Sequence, residues 1–379
     1  MKKIVTVIIT MSLIIGLVYL YKNTDILDFV KCQEISNEER KQYSNRWYYN
    51  NLDEQQKEIY LHYAKGINDV NEEIRIKLNG LLTNEQIGEN INKAIEAYSY
   101  DYPETFYVES SYELKIIDVL NCKIIEIHPK YINKANIQNM KNEMQIEIDN
   151  IKKLFKSNDM EYNKELIVHD YLVKNVQYYN WENLEDIPDE MHTAYNALVK
   201  KQAVCDGISK AFQIIMMQEG IECMTITGDL EEVPHAWNVI KIDNEYYHVD
   251  LTSDQFKLNK KDVPMLSHAF FNITDEEIKQ THEINKSYIY PKCDAIYNNF
   301  YYKENRIVKE NQNLRNKVKT IVNDTYSEEL LEIRVLNRGD VSDKLAQILY
   351  DIDFNKYKSN RADSIGYTVT RDIYVYKIN

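Results

Sequence analysis

The chain has 379 residues, is 44% hydrophobic and 28% charged, and carries a formal net charge of −14. That length fits one large domain or two to three smaller ones, and with 9 Gly and 6 Pro it has little material for long disordered linkers. The acidic balance argues against nucleic acid as a partner, since phosphates need a basic face, and it does not support electrostatic docking on anionic lipid or wall polymer.

The first element is an apolar run over 4–20, behind Met1-Lys2-Lys3 and followed by Tyr21-Lys22. It sits at the lower edge of the ~20 residues a spanning helix needs. The flanking charges point to an uncleaved signal anchor over 1–24, with a cleaved secretory signal as the alternative. No Ala-x-Ala-type site follows, and Cys32 lies too far downstream to be a lipoprotein cysteine. The expected location is therefore the extracellular face of a membrane, or secretion if the signal is cut.

A helix-rich extension is expected over 25–135. Leu52-Asp53-Glu54 opens a helix with Ile59, Tyr60, Tyr63 and Ala64 on one face. A second helix is expected over 91–98, ended by Asp101-Tyr102-Pro103-Glu104, where proline lacks a donor and restricts the residue before it. Strands are expected over 105–108 and 122–127. The 31 tyrosines, alongside much Ile, Lys and Asn, read as a coding bias that marks no site.

A core is expected over 136–293, opening with helices over 137–155 and 163–175 and an acidic loop over 181–191. From Cys205 to Gln218 the apolar residues Ile208, Ala211, Phe212, Ile215 and Met216 are spaced for a half-buried helix, with Gly220 as its stop. Cys205 thus stands at a helix N-terminus, where free N–H groups and the positive end of the dipole favour an anion. Such a setting pulls a thiol from about 8.5 towards neutrality. Gly207 in the first turn permits close approach of backbone or substrate.

Two β-rich runs, 235–242 and 245–252, flank Asp243-Asn244, a tight-turn dipeptide. A two-residue turn sets Ile242 against Glu245 and Trp237 against Asp250. His235 and Asp250 then become diagonal neighbours on one face, within side-chain reach. A thiol on the helix with a His–carboxylate pair on the hairpin is a nucleophile, its base and the group that orients the base. His248 shares the parity of Asp250 and either lines the site or is a satisfied structural histidine, the second being the favoured reading. His169, His192, His268 and His282 share no helical face or ligand spacing, so no metal or other cofactor is assigned. Of the five cysteines, an odd number for an exported chain, Cys205 is the natural unpaired one. Cys122 and Cys223 read as buried free thiols.

An α/β appendage is expected over 294–379: a helix over 303–322, a strand over 330–336, a short helix from Ser342 to residue 350, and an alternating run over 367–378.

Several motifs carry a family resemblance: Ala194-Tyr195-Asn196-Ala197-Leu198, Val204-Cys205-Asp206-Gly207-Ile208, His235-Ala236-Trp237-Asn238, and Tyr247-His248-Val249-Asp250-Leu251-Thr252. With Gly220-Ile221 and Ser267-His268-Ala269-Phe270-Phe271-Asn272, they resemble the transglutaminase-like, papain-like superfamily core of bacterial exported proteins. Trp47-Tyr48-Tyr49-Asn50 and Asp101-Tyr102-Pro103-Glu104 resemble an extension found in some Firmicutes members. Leu251 departs from the pattern, in which proline commonly follows the Asp.

The resemblance implies an α+β fold with the nucleophile helix packed on an antiparallel sheet. It implies Cys205 as nucleophile, His235 as base and Asp250 as orienting acid. Tyr195 and Gln202 are oxyanion-donor candidates by proximity alone. The implied activity is a cell-surface cysteine hydrolase or acyltransferase acting on amides through a thioester, of peptidase type, on a protein or peptidoglycan-peptide substrate. No calcium-binding loop is apparent. The alternative is a non-catalytic surface interaction module that keeps the fold.

Overall fold

In a computed structural model, the chain is a mixture of helices and antiparallel sheets. The described residues are 6–9, 34–79, 82–119, 122–256, 265–309, 313–324, 330–336, 344–345, 347–348, 351, 366–370 and 373–377. Most of the apolar run 4–20, Cys32 and Ser342 lie outside them. Among the described residues no helix is long and apolar enough to cross a membrane. The chain forms two compact units interleaved in sequence. One comprises residues 1–149, 179–214 and 285–290, the other 150–178, 215–284 and 291–379.

In the first unit, helix Glu54–Asn68 is capped by Asp53 and helix Asn84–Asp101 by Thr83. Each cap is reciprocated by a glutamine three residues on, Gln56 and Gln86. The second helix starts earlier than the expected 91–98 because this capping box extends the buried face back to Ile87. It ends at Asp101, ahead of Pro103. The strand expected over 105–108 begins instead at Val108 and runs to Val119. The reason is local: the amide and hydroxyl of Thr105 both bond back to the carbonyl of Tyr102, at 3.0 and 2.7 Å, and close a turn. Strands Ile74–Asn79 and Val108–Val119 flank Cys122–Tyr131 antiparallel, and Thr6–Ile9 pairs in parallel with Val108–Val119.

Two motifs far apart in sequence meet here. The carboxylate of buried Asp101 accepts from the backbone N–H groups of Tyr48 and Tyr49, at 3.0 and 2.9 Å, and from the Tyr60 hydroxyl at 2.9 Å. It therefore serves as an external cap for the short helix Trp47–Asn50. Burial pushes this carboxyl up to about 6 despite those three donors.

In the second unit, strands His282–Ile284, Cys223–Leu230, Val233–Ile242 and Glu245–Val249 form one antiparallel sheet in that order. The helix expected over 163–175 is Glu161–Asn175. The single helix expected over 303–322 is broken into helix Phe300–Lys303, strand Ile307–Lys309 and helix Leu314–Asp324. The break is a turn in which Asn305 takes a positive φ of 55° and the N–H of Arg306 bonds the carbonyl of Tyr301 at 2.8 Å. The alternating run over 367–378 is likewise two strands, Gly366–Thr370 and Ile373–Lys377, paired antiparallel. With Ile307–Lys309 and Leu330–Leu336 they make a second sheet. Val318, Ile321 and Val322 of the helix share one buried cluster with Leu331, Ile333 and Val335 of the strand. Cys205, Cys223 and Cys293 are buried free thiols, whereas Cys122, expected to be buried, is half-buried at the start of its strand.

Replacing Asp101 by Ala strands two backbone donors and a buried phenol at once. Urea unfolding followed by tyrosine fluorescence is expected to show a loss of roughly 2–4 kcal/mol for Asp101→Ala.

Candidate active site

The hairpin takes the register expected from its sequence. Asp243 and Asn244 have φ of 51° and 69°, the two left-handed residues of a two-residue turn whose twist matches the strands. Ile242 pairs with Glu245 and Asn238 with Val249. The parity then puts His235 and Asp250 on one face, and their side chains meet, Nε2 to Oδ2, at 2.9 Å.

Asp250 is fully buried. Its Oδ1 accepts from the backbone N–H groups of Thr252 and Ser253, at 2.9 and 3.1 Å. Its Oδ2 accepts from His235, from the Ser253 hydroxyl and from a second imidazole, His282 Nε2, at 3.0 Å. Burial alone would raise the carboxyl. The two histidines outweigh it and hold Asp250 well below the usual carboxylate range. An ionised carboxylate only accepts, so Nε2 of His235 carries its proton and Nδ1 is the basic nitrogen.

His282 was not legible as part of this site. It comes from the edge strand His282–Ile284, which pairs with Gly228–Leu230. Its other nitrogen, Nδ1, is 2.8 Å from the Thr281 hydroxyl, which can donate to it. Gly228 makes this edge possible: a Cβ there would lie 1.9 Å from the carbonyl of Glu283 and 2.9 Å from the Trp237 ring. Trp237, wholly buried, stacks beside His235, with ring centres 6.0 Å apart, and lies 4.9 Å from His282.

The Trp237 indole donates to His248 Nδ1 at 3.0 Å, and His248 Nε2 meets Asp275 at 2.9 Å. Nδ1 accepts, so the proton is on Nε2, and burial moves this imidazole below its usual range. His248 is thus a satisfied structural histidine.

The histidines scattered along the sequence are not scattered in space. In the second unit, His169–Asp170–His268, His235–Asp250–His282 and His248–Asp275–Cys293 each bring their polar atoms within 4.8 Å of one another. Both nitrogens of His169 meet carboxylates, of Asp170 and of Asp254, each at 3.1 Å. Those of His268 meet Glu332 at 2.7 Å and Asp170 at 2.9 Å. Burial opposes charge on His268, but Glu332 and Asp170 outweigh it and hold this imidazolium up to about 10. Glu332 lies on strand Leu330–Leu336, in the segment expected to be an α/β appendage.

Cys205 belongs to the first unit. It is the first residue of helix Cys205–Gln218, whose two ends match the sequence expectation, and it is buried. Gly207 lets the helix start pack tightly: a Cβ there would come within 2.7 Å of the Met191 carbonyl and 2.9 Å of the Thr193 carbonyl. The Val204 N–H also bonds Met191 at 3.0 Å. Tyr195 donates its hydroxyl to Glu143, so that group already has a strong acceptor. Gln202 is half-buried.

A family model for the transglutaminase-like superfamily matches residues 150–251, a span that includes Cys205, His235 and Asp250. No curated protein matches the chain. Among solved structures, a TGase is 15% identical over 64% of this chain and 60% of its own, with a TM-score of 0.29. A candidate cysteine protease from Cytophaga hutchinsonii is 11% identical over 37% of this chain and 62% of its own, with a TM-score of 0.24. The chain thus spans about three-fifths of the length of both relatives.

Two outcomes are expected from this geometry. Gly228→Ala forces the edge strand away and costs about 3 kcal/mol or more in urea unfolding. The Asp250 carboxyl is depressed in the folded state, so its contribution to stability is full above the unfolded value of about 4 and is lost as pH falls below it. Asp250→Asn should therefore flatten the acid limb of a stability–pH profile relative to wild type.

Proposed function

Because residues 150–251 match the family model of the transglutaminase-like superfamily, we propose that the chain is a cysteine hydrolase or acyltransferase that cleaves amides with Cys205, His235 and Asp250. The observation that carries this reading is the His235–Asp250 pair, 2.9 Å apart and buried, with the imidazole tautomer set by an ionised carboxylate. In the proposed reaction, His235 Nδ1 takes the Cys205 thiol proton as sulfur attacks the amide carbonyl. The tetrahedral intermediate collapses when the imidazolium returns that proton to the leaving amine, giving a thioester. Water, deprotonated by the same nitrogen, then attacks the thioester and releases acid and free thiol. We take water as the acceptor, which makes the enzyme peptidase-type.

His282 is a positioning residue in this scheme. It shares the carboxylate oxygen that His235 uses, and so limits how that oxygen turns. We further propose that the chain acts at the extracellular face of a membrane, where surface proteins and peptidoglycan peptides are the available amides.

A thiol-directed probe tests the reading. Cys205 is expected to label selectively near neutral pH, and His235→Ala to abolish that selectivity. Labelling no faster than an ordinary thiol, with no amide turnover, would instead mark a non-catalytic module. Comparing cell-wall and surface-protein digests from wild type and Cys205→Ala by mass spectrometry then identifies the substrate. Replacing His282 by Phe, which keeps a ring but has no donor, is expected to lower kcat by about tenfold with KM unchanged, the loss of one charge-assisted hydrogen bond to Asp250.

A further inference from the structure

The second unit holds a group of histidines and carboxylates that the proposed triad does not use. His169 and Asp170 stand on helix Glu161–Asn175, and His268 comes from the segment 267–272. Oδ1 of Asp170 lies 3.1 Å from His169 Nδ1 and 2.9 Å from His268 Nε2. The three residues bring ligand atoms within 4.8 Å of one another. Ligand atoms about 2.0–2.1 Å from a tetrahedral zinc ion stand roughly 3.3 Å apart, so this spacing is close to that of a coordination shell.

The far nitrogen of each ring meets a second carboxylate. His169 Nε2 is 3.1 Å from Asp254, and His268 Nδ1 is 2.7 Å from Glu332. Both carboxylates are buried and held by donors of their own. Asp254 accepts from the Phe270 N–H, and Glu332 from the His268 N–H and the Tyr301 hydroxyl, each at 2.9 Å. A carboxylate behind an imidazole fixes which nitrogen keeps the proton and turns the other towards a metal. The other two clusters of this unit lack that backing: the outer nitrogen of His282 meets a hydroxyl, and that of His248 receives an indole N–H. Aromatic rings close the shell, with Phe300 stacked on His268 at 3.7 Å between centres and Phe271 edge-on to His169 at 5.0 Å.

With no metal, these four contacts are hydrogen bonds that put a proton on every ring nitrogen, and each ring carries one positive charge. One divalent cation in place of the two inner protons leaves the total charge of the cluster unchanged. Both rings then keep their outward N–H groups on Asp254 and Glu332. Both rings are buried and Asp170 is half-buried, so an ion reaches the site past Asp170. The Lys174 ammonium, 3.7 Å from Asp170 Oδ2, is exposed and long enough to swing into solvent.

We propose that His169, His268 and Asp170 bind one divalent transition-metal ion, with Asp254 and Glu332 behind the two imidazoles. Two imidazole nitrogens and one carboxylate oxygen suit zinc, whereas magnesium and calcium take oxygen donors. Three protein ligands leave a fourth position for water. The ion ties helix Glu161–Asn175 to the segment 267–272 and, through Glu332, to strand Leu330–Leu336. The site stands independently of the reaction proposed for Cys205.

The test is a Co2+ titration, followed by visible absorption, of the full chain carrying Cys205→Ala, which removes a competing thiol. One equivalent is expected to saturate the bands of protein-bound Co2+. One equivalent of Zn2+ should then bleach them, and Mg2+ in about hundredfold excess should leave them unchanged. Zn2+ at about 100 times its Kd is expected to raise Tm by about 5 °C. Asp170→Ala and His268→Gln should each abolish saturation at one equivalent, and Glu332→Gln should weaken Zn2+ binding by about ten- to a hundredfold. Asp170 is half-buried, so Asp170→Ala keeps the test valid if His268→Gln fails to fold. Absence of saturable binding would overturn the site and mark the cluster as an ion-pair network alone. Binding of one equivalent that survives Asp170→Ala would overturn it too, by placing the ion elsewhere. Either result leaves the labelling of Cys205 in the wild-type chain untouched.

Discussion

A carboxylate removed from water must recover its solvation from the protein. Asp250 does so with five donors: two imidazoles, two backbone amides and a hydroxyl. These donors come from three places, the strand Val233–Ile242, the segment just after Asp250, and the edge strand His282–Ile284. Satisfying one anion therefore fixes how the hairpin, the chain leaving it and the sheet edge meet. The orientation of His235 is a product of that requirement. The wholly buried Trp237 completes the arrangement by lying against both imidazoles while its indole N–H is passed to His248.

What the sequence discloses here is what neighbouring residues decide. The helix Cys205–Gln218 was legible at both ends because its apolar spacing and Gly220 are local signals. The hairpin was legible because a two-residue turn with Asp-Asn sets the parity of every residue after it. The imidazole clusters were not, because the partners lie far apart in the chain: 32 residues for His282 and Asp250, 85 for His169 and Asp254, 98 for His268 and Asp170. No periodicity reports such pairings. The misread elements have local causes of another kind. A turn closed by Thr105 delayed one strand, and a left-handed Asn305 split one helix; neither leaves a mark in the apolar pattern.

The first unit shows why tyrosine is so frequent without forming a single catalytic site. Tyr43, Tyr60, Tyr98 and Tyr102 pack by their ring edges and faces, with centres 5.1–5.9 Å apart. Each ring fills core volume and brings one hydroxyl. Some of these hydroxyls are matched, as Tyr60 is by Asp101, and at Tyr98 the match is missing. A core built this way carries polar chemistry into its interior.

The pairing of His268 with Glu332 reaches 64 residues along the chain, past the end of the span that kinship to other proteins delimits. A shortened gene product that stopped before residue 330 would keep the buried imidazole and lose one of the two carboxylates that meet it, leaving Asp170 alone. The charge balance of this buried cluster thus depends on residues beyond the span that the family model matches.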